Sequence, residues 1–262
     1  MTTVTVSLAQ MQVIAGNMSH NFEQAQIMVA EAARRQSDVV LLPELFSTGY
    51  VLEEAEDHTS QVNEGMFAEL STMATEGNLT LISSILGTYG DGVANTMPVF
   101  DADGEMLGVY RKLHLFRLFD EDKYLVQGTD PLTLDLAWGK TGFAICYDLR
   151  FPELFRHYTV SEGASVIVLV AEWPLVRVEH WRSLLIARAI ENQCYIIACN
   201  AVGDTGDTIM AGHSMIIDPW GRILVEAGET PQLITADIDL SEVAIARSKI
   251  PIFDDVRHDI YG

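Results

Sequence analysis

The stretch TGFAICYDLRFPE, residues 141–153, predicts a strand, a short turn and the start of a helix. The strand ends at Cys146, and a helix over residues 152–162 follows the turn. The sulfur of Cys146 is therefore expected at a strand-to-helix turn. A helix N-terminus favours the thiolate and lowers the pKa of a thiol from its free value of ~8.5. Such a cysteine can be a nucleophile, or simply a small core residue.

Strands and helices alternate on both sides of this stretch. Short apolar runs predict the strands, and apolar residues at helical spacing predict the helices. Two segments with Asp and Gly between apolar runs, residues 99–112 and 216–226, are typical of hairpins. This alternation mixed with hairpins indicates an α/β fold of mixed sheets covered by helices. The predicted strands are residues 3–8, 38–42, 79–87, 132–136, 141–146, 164–170 and 195–199, and the predicted helices are residues 19–36, 63–76, 152–162 and 178–192.

The composition is that of an acidic globular chain. Among the 262 residues, 16 are Lys or Arg and 37 are Asp or Glu, which gives a formal net charge of -21. That charge repels nucleic acids and anionic membrane surfaces, so neither is expected as a partner. Hydrophobic residues make up 48% and charged residues 20%, which excludes a disordered chain. No linker rich in Pro, Gly or Ser divides the sequence, so we expect one domain over residues 1–262.

The N-terminus and the cysteines indicate a compartment. The first basic residue is Arg34, so no charged region precedes an apolar core as in a secretory signal. Apolar runs such as residues 164–171 stop at about eight residues, well short of the ~20 that cross a bilayer. The three cysteines, Cys146, Cys194 and Cys199, form no Cys-x-x-Cys pair, which suits a reducing compartment. We therefore expect a cytoplasmic protein.

The sequence lacks the common motifs for a metal ion or a nucleotide cofactor. Its seven histidines form no His-Glu-x-x-His pair, and three cysteines are too few for a structural zinc site. The glycine clusters form neither Gly-x-Gly-x-x-Gly nor a phosphate-binding loop. Residues 212–216 (GHSMI) resemble the start of a serine-hydrolase elbow, but they have Ile where that motif needs glycine. We expect neither a metal nor a cofactor.

Two further residues are candidates for catalysis. Glu44 follows a predicted strand in LLPE, where apolar walls can poise a carboxyl group for acid–base chemistry. Lys112, one of only four lysines, lies in YRKLHLF, residues 110–116, where its ammonium can stabilise developing negative charge. Taken alone, each residue is also explained by a solvated side chain.

Three motifs together resemble the Glu-Lys-Cys signature of the carbon-nitrogen hydrolase (nitrilase) superfamily. They are LPE at residues 42–44, YRKLHLF at residues 110–116 and CYDLRFPE at residues 146–153, in the family's order. Their Glu, Lys and Cys are 68 and 34 positions apart, which fits the family. The resemblance extends through ARAIENQ, GHS and DPWG to IPIF at residues 250–253, almost the whole chain. It is greatest to the omega-amidase (Nit2-like) branch.

The resemblance implies a fold and a set of catalytic residues. The fold is a four-layer α-β-β-α sandwich of mixed sheets, usually dimerised, so we expect a homodimer or higher homo-oligomer. Cys146 is then the nucleophile, Glu44 the general base and Lys112 the oxyanion stabiliser. Glu121, which lies between two aspartates, falls near the place of a second glutamate that positions Lys112 and the substrate.

The resemblance also implies the chemistry. An amide is a poor electrophile, so hydrolysis in two steps through a thioester has lower barriers. The backbone N–H of Tyr147 is expected to hold the oxyanion together with Lys112. The omega-amidase branch is associated with ω-amides of keto-dicarboxylic acids such as α-ketoglutaramate, whose hydrolysis releases ammonia. Arg177 is the candidate to bind the substrate carboxylate, or else it is a solvated arginine before a helix.

Other activities use the same motif. An N-carbamoyl amidohydrolase, an aliphatic amidase or a nitrilase would need the same Glu44, Lys112 and Cys146. A catalytically silent scaffold or partner subunit would keep the fold without turnover, although the intact triad argues against that alternative. An amide-hydrolysis assay separates the enzyme from the scaffold.

Overall fold

The structure, a computed structural model, describes residues 3–206 and 208–261. No helix within these ranges is long and apolar enough to span a membrane. The strands are β1 Thr3–Gln10, β2 Val39–Leu41, β3 Thr80–Ile82, β4 Ile85–Tyr89, β5 Gly92–Phe100, β6 Met106–Arg111, β7 Thr133–Leu136, β8 Gly139–Ile145, β9 Val166–Ala171, β10 Tyr195–Asn200, β11 Val202–Asp204, β12 Ile209–Ala211, β13 Met215–Ile217, β14 Ile223–Glu226 and β15 Gln232–Asp239. The α-helices are α1 Met18–Arg34, α2 Ala55–His58, α3 Gly65–Gly77, α4 Glu121–Tyr124, α5 Pro152–Arg156, α6 Val178–Asn192, α7 Ser241–Lys249 and α8 His258–Tyr261.

The first sheet has seven strands in the order β15-β1-β2-β3-β5-β4, with β6 also paired to β5. Strands β1, β2 and β3 are parallel, and β15 runs antiparallel along the whole of β1. The hairpin predicted over residues 99–112 is formed by β5 and β6 and begins earlier, at Gly92. Because parallel strands direct their carboxyl ends to one edge, the loop after β2, with Glu44, lies at that edge.

The second sheet has six strands in the order β14-β13-β10-β9-β8-β7. Its central strands β8, β9 and β10 are parallel, and they are apolar runs buried along almost all of their length. Ile145 at the end of β8 pairs with Val170 near the end of β9. The chain therefore leaves β8 at Cys146 close to the place where it leaves β9 after Ala171.

Helices cover the outer face of each sheet. Helices α1 and α3 pack on the first sheet through buried residues such as Val29 and Leu70. Helices α5 and α6 pack on the second sheet through residues such as Phe155 and Trp181, in a cluster that also fills the space between the sheets. Burial of this apolar surface is the main term that stabilises such a sandwich. The expected four-layer α-β-β-α sandwich is confirmed.

The prediction of one strand over residues 79–87 is wrong. The structure has two strands there, β3 and β4, with a break at Ser83 and Ser84. The hydroxyl of Ser83 donates to the backbone carbonyl of Pro43 at 2.9 Å, and Oγ of Ser84 accepts the backbone N–H of Leu45 at 2.9 Å. The chain leaves the ladder because these two side chains bind the loop that follows β2.

The helix predicted over residues 152–162 is shorter than expected. Helix α5 ends at Arg156, and a π-helical turn, His157–Ser161, continues it. The hydroxyl of Thr159 donates to the backbone carbonyl of Phe155 at 3.1 Å, which competes with regular helical hydrogen bonding. Sequence patterns predict neither β15 nor α7, and the position of β15 is fixed by its pairing with β1 from the other end of the chain.

Candidate active site

Cys146 lies where β8 ends and the chain turns away from the second sheet. It is the first residue of the 3-10 turn Cys146–Arg150, and its φ of 46° is in the left-handed region that favours glycine. The buried Asp148 stabilises this turn. Its Oδ2 accepts the backbone N–H of Ile145 at 2.8 Å and the hydroxyl of Tyr110 at 2.7 Å. These bonds hold the strained turn that places the thiol at the carboxyl edge of the sheet.

Lys112 is buried between two carboxylates. Its Nζ donates to Oε1 of Glu44 at 2.7 Å and to Oε1 of Glu121 at 2.5 Å, and none of the three side chains is exposed. Burial alone would lower the pKa of Lys112, but the carboxylates of Glu121 and Glu44 outweigh burial and raise it. The ammonium therefore stays charged inside the protein.

Glu44 is fixed by residues from both sheets. Its Oε1 accepts a hydrogen bond from Nδ2 of Asn95 at 2.8 Å and lies 2.9 Å from the hydroxyl of Tyr50, in addition to its bond with Lys112. Its Oε2 accepts the backbone N–H of Glu172, after β9, at 2.8 Å. A carboxylate held in this way has one defined orientation, as proton transfer requires.

Glu121 is the second carboxylate that binds the Lys112 ammonium. Its Oε2 accepts the backbone N–H of Phe116 at 2.6 Å, and its Oε1 lies 2.7 Å from the Tyr50 hydroxyl. Burial raises the pKa of Glu121, and Lys112 opposes that shift. Burial and the carboxylates of Glu121 and Glu44 raise the pKa of Tyr50, so its hydroxyl stays protonated.

The structure brings together the four residues expected to be catalytic and adds two that no motif predicted. Tyr50 lies six residues after Glu44 in the same loop, and an aromatic hydroxyl so near a candidate base is a signal that the sequence contains. Asn95 lies on β5, and its backbone carbonyl accepts the N–H of Lys112 at 3.0 Å. Only the pairing of β5 with β6 reveals that contact.

The expected lowering of the Cys146 pKa is wrong. The residue starts a five-residue 3-10 turn, and α5 begins only at Pro152, so no α-helix starts at the sulfur. Burial raises the pKa of the thiol, the nearby Glu44 carboxylate raises it further, and Lys112 opposes them. The physical reason is that lost hydration and an adjacent negative charge both disfavour the thiolate. The resting side chain is a thiol, which needs a base in order to react.

A pocket of about 290 Å³ opens over Cys146. That figure includes space open to solvent, and the enclosed part of the pocket is much smaller, so the pocket suits a small molecule. Tyr147 and Arg177, the two candidates for substrate binding, both line it. Among the described residues, no group of three or more His, Cys, Asp or Glu side chains could hold a metal ion. The pocket is lined by Phe116, Phe119, Cys146, Tyr147, Arg150, Glu172, Trp173, Pro174 and Arg177.

Two guanidinium groups lie in this pocket, of which only Arg177 was a candidate from the sequence. The Arg177 guanidinium carbon lies 5.8 Å from the ring centroid of Phe116, and that of Arg150 lies 4.6 Å from the ring of Trp173. Burial lowers the pKa of Arg150, and the charge of Arg177 contributes to the shift. Two like charges in a small pocket favour the binding of an anion between them.

Comparison with known proteins gives a consistent result. The model of the family described as carbon-nitrogen hydrolase matches residues 5–248. A 2-oxoglutaramate amidase from Bacillus subtilis (strain 168) is 42% identical, over 98% of this chain and 99% of the relative. The omega-amidase NIT2 of Mus musculus is 34% identical, over 100% of this chain and 98% of the relative. A solved CN-hydrolase superfamily protein from Xanthomonas campestris is similar over 100% of both chains, with a TM-score of 0.93 and 30% identity.

Proposed function

Since this chain belongs to the carbon-nitrogen hydrolase family and hydrolyses amides, we propose that it is an omega-amidase. Its substrate is a small ω-amide with a carboxylate, such as α-ketoglutaramate (2-oxoglutaramate), and its products are the carboxylic acid and ammonia. The observation that carries the proposal is the buried Lys112 between Glu44 and Glu121, next to the Cys146 thiol at the base of a small pocket with two arginines.

In the first step the sulfur of Cys146 attacks the amide carbon while Glu44 takes the thiol proton. The raised pKa of Cys146 makes this coupling necessary, because little thiolate exists before attack. The negative charge then moves to the carbonyl oxygen. Lys112 and the backbone N–H of Tyr147 stabilise this oxyanion.

Collapse of the tetrahedral intermediate breaks the carbon–nitrogen bond. Glu44 gives its proton to the nitrogen, so ammonia leaves and a Cys146 thioester remains. Glu44 next accepts a proton from water, whose oxygen attacks the thioester. The acid is released, and Glu44 returns this proton to the departing sulfur of Cys146. Glu121 keeps the ammonium of Lys112 in position through both steps, and its bond to the Phe116 backbone fixes it in turn.

The two arginines support a carboxylated substrate. An anion approaches a protein of net charge -21 against that charge, so a local cation is needed. Arg177 and Arg150 supply two guanidinium groups in the pocket, and a guanidinium binds a carboxylate with two parallel hydrogen bonds. The names of the relatives from Bacillus subtilis and Mus musculus support the same class of substrate.

We extend the proposal to the organisation of the protein as one domain, a homodimer and a cytoplasmic enzyme. The family match and the cluster of buried residues shared by both sheets support one domain over residues 1–262, of which Met1, Thr2, Asp207 and Gly262 lie outside the described residues. The homodimer is supported by the family to which the chain belongs, whose members are usually dimeric. Three free cysteines support a reducing compartment.

Ammonia release from a substrate panel tests the proposed function. The panel contains α-ketoglutaramate, glutamine, a carbamoyl amino acid and an aliphatic nitrile, each with the wild type and with Cys146→Ala. We expect the largest kcat/KM for α-ketoglutaramate and none with the variant. A carbamoyl compound or nitrile as the best substrate would contradict the omega-amidase assignment.

A further inference from the structure

Glu172 is a buried carboxyl group that takes no part in the steps proposed for Glu44, Lys112 and Cys146. It follows β9, is only 1% exposed, and lines the pocket over Cys146. Among the described residues, neither of its carboxyl oxygens has a hydrogen-bond partner. Buried polar atoms are paired in the great majority of cases, so two unpaired oxygens on one side chain indicate a partner that comes from outside the chain.

The backbone of Glu172 is fixed next to the proposed base. Its N–H donates to Oε2 of Glu44 at 2.8 Å, and the N–H of the following Trp173 donates to Oδ1 of Asn200 at 2.7 Å. Both bonds lie at the carboxyl edge, where the two sheets meet around the pocket. The backbone of Glu172 thus lies next to the carboxylate of Glu44, the group that is proposed to exchange protons with the thiol and with the leaving nitrogen.

The surroundings of the Glu172 carboxyl favour its neutral form. Burial raises its pKa well above the usual range, the Glu44 carboxylate raises it further, and Lys112 opposes them. The ammonium of Lys112 is already engaged by Glu44 and Glu121, with the Tyr50 hydroxyl 3.3 Å away. A neutral carboxyl group offers one carbonyl oxygen as an acceptor and one O–H as a donor.

We propose that the carbonyl oxygen of Glu172 accepts an N–H of the scissile primary amide and so favours amides over esters of the same acid. The inference rests on the proposed amide hydrolysis. A primary amide has two N–H groups, and Glu44 must face its nitrogen in order to protonate it. The second N–H needs its own acceptor, and Glu172 is the one residue with a carboxyl group among those that line the pocket. Glu172 exchanges no proton, since Glu44 serves both the thiol and the ammonia.

The test compares α-ketoglutaramate with the 5-methyl ester of α-ketoglutarate, which differs only in the leaving group and has no N–H. In Glu172→Leu we expect kcat/KM for the amide to fall about tenfold or more, and that for the ester to change less than about threefold. In Glu172→Gln, which keeps a neutral acceptor, we expect an amide-to-ester ratio within about threefold of the wild type. Glu179→Leu, at an exposed glutamate of α6, is the matched control.

Stability provides a second readout. Because no described residue forms a hydrogen bond with the Glu172 carboxyl group, Glu172→Leu and the longer Glu172→Met are expected to have a Tm equal to or above that of the wild type. Equal losses on amide and ester, an unchanged ratio in both apolar variants, or a fall in Glu172→Gln as large as in Glu172→Leu would overturn the inference. A wild type that hydrolyses no amide would instead contradict the proposed function, so the two failures are distinguishable.

Discussion

Cys146 and Cys199 are two buried thiols at the second sheet with different surroundings. Both belong to the cluster of buried residues that fills the space between the sheets, and burial raises the pKa of both. The thiol of Cys199, on β10, donates to the backbone carbonyl of Leu41 at 3.4 Å, whereas Cys146 has Glu44 and Lys112 as neighbours. Burial by itself makes a thiol less reactive, so we infer that Cys146 depends on its neighbouring base and cation.

The largest expected effect separates these two cysteines. Cys146→Ala should lower kcat by roughly 10,000-fold or more, because no other group can form the thioester. Cys199→Ala should keep kcat within about threefold and lower the free energy of unfolding by about 1–2 kcal/mol, since it leaves a small cavity. Ammonia release and urea unfolding measure the two quantities. A comparable loss of kcat in both variants would show that the difference in surroundings is irrelevant.

Removal of the base tests whether the surroundings make Cys146 reactive. Glu44→Gln should lower kcat by about 100- to 1,000-fold with a smaller change in KM, because the thiol proton then has no acceptor. The amide keeps the shape and some of the hydrogen bonds of Glu44, so the fold should persist. Steady-state ammonia release measures kcat, and near-wild-type turnover would contradict the role of Glu44.

Removal of the cation should act on both rate and stability. Lys112→Met is expected to lower kcat about 100- to 1,000-fold through the lost oxyanion donor. It also leaves two buried carboxylates without their partner, at a cost of about 3–5 kcal/mol in the free energy of unfolding. Urea unfolding and ammonia release measure these effects, with Lys249→Met, at an exposed lysine of α7, as the control. A variant as stable as the wild type would contradict the ion-pair cluster.

A smaller effect is expected for Arg177, which lines the pocket over Cys146 but makes no proposed contact with the reacting atoms. Arg177→Met should raise KM for α-ketoglutaramate about tenfold or more, as for a lost charged hydrogen bond of ~1.5–3 kcal/mol. A short neutral amide should be little affected. Arg117→Met removes an exposed arginine near the pocket and is the matched control. Equal effects on charged and neutral amides would mean that Arg177 only supports the fold.

The smallest effect concerns the protonation of the Cys146 thiol. The Glu44 carboxylate raises the pKa of this thiol, so Glu44→Gln should lower that pKa, and the thiolate should form at lower pH than in the wild type. The rate of iodoacetamide alkylation at Cys146, measured by mass spectrometry across pH, reports the shift. Cys199, without a nearby carboxylate among the causes of its shift, should not change. A midpoint that moves to higher pH would contradict the assigned cause.

Most elements of the fold and four residues of the site could be predicted from the amino-acid sequence. Apolar runs predicted the parallel strands of the second sheet, and helical spacing predicted α6 at its observed bounds. The three motifs selected Glu44, Lys112 and Cys146, and a looser match selected Glu121. Local patterns suffice for these elements because side-chain burial repeats along a strand or a helix. The roles of the four residues stay predictions until variants are assayed.

The chemical state of the site depends on tertiary packing, which no local sequence pattern reveals. The left-handed turn at Cys146, the raised pKa of its thiol and the contacts of Tyr50 follow from packing around the carboxyl edges of two sheets. Glu172 donates its N–H to Glu44 from 128 positions further along the chain, while its own carboxyl group finds no partner within residues 3–206 and 208–261. Hydration and neighbouring charge set a pKa and a hydrogen bond, and both depend on which distant residues share a buried space.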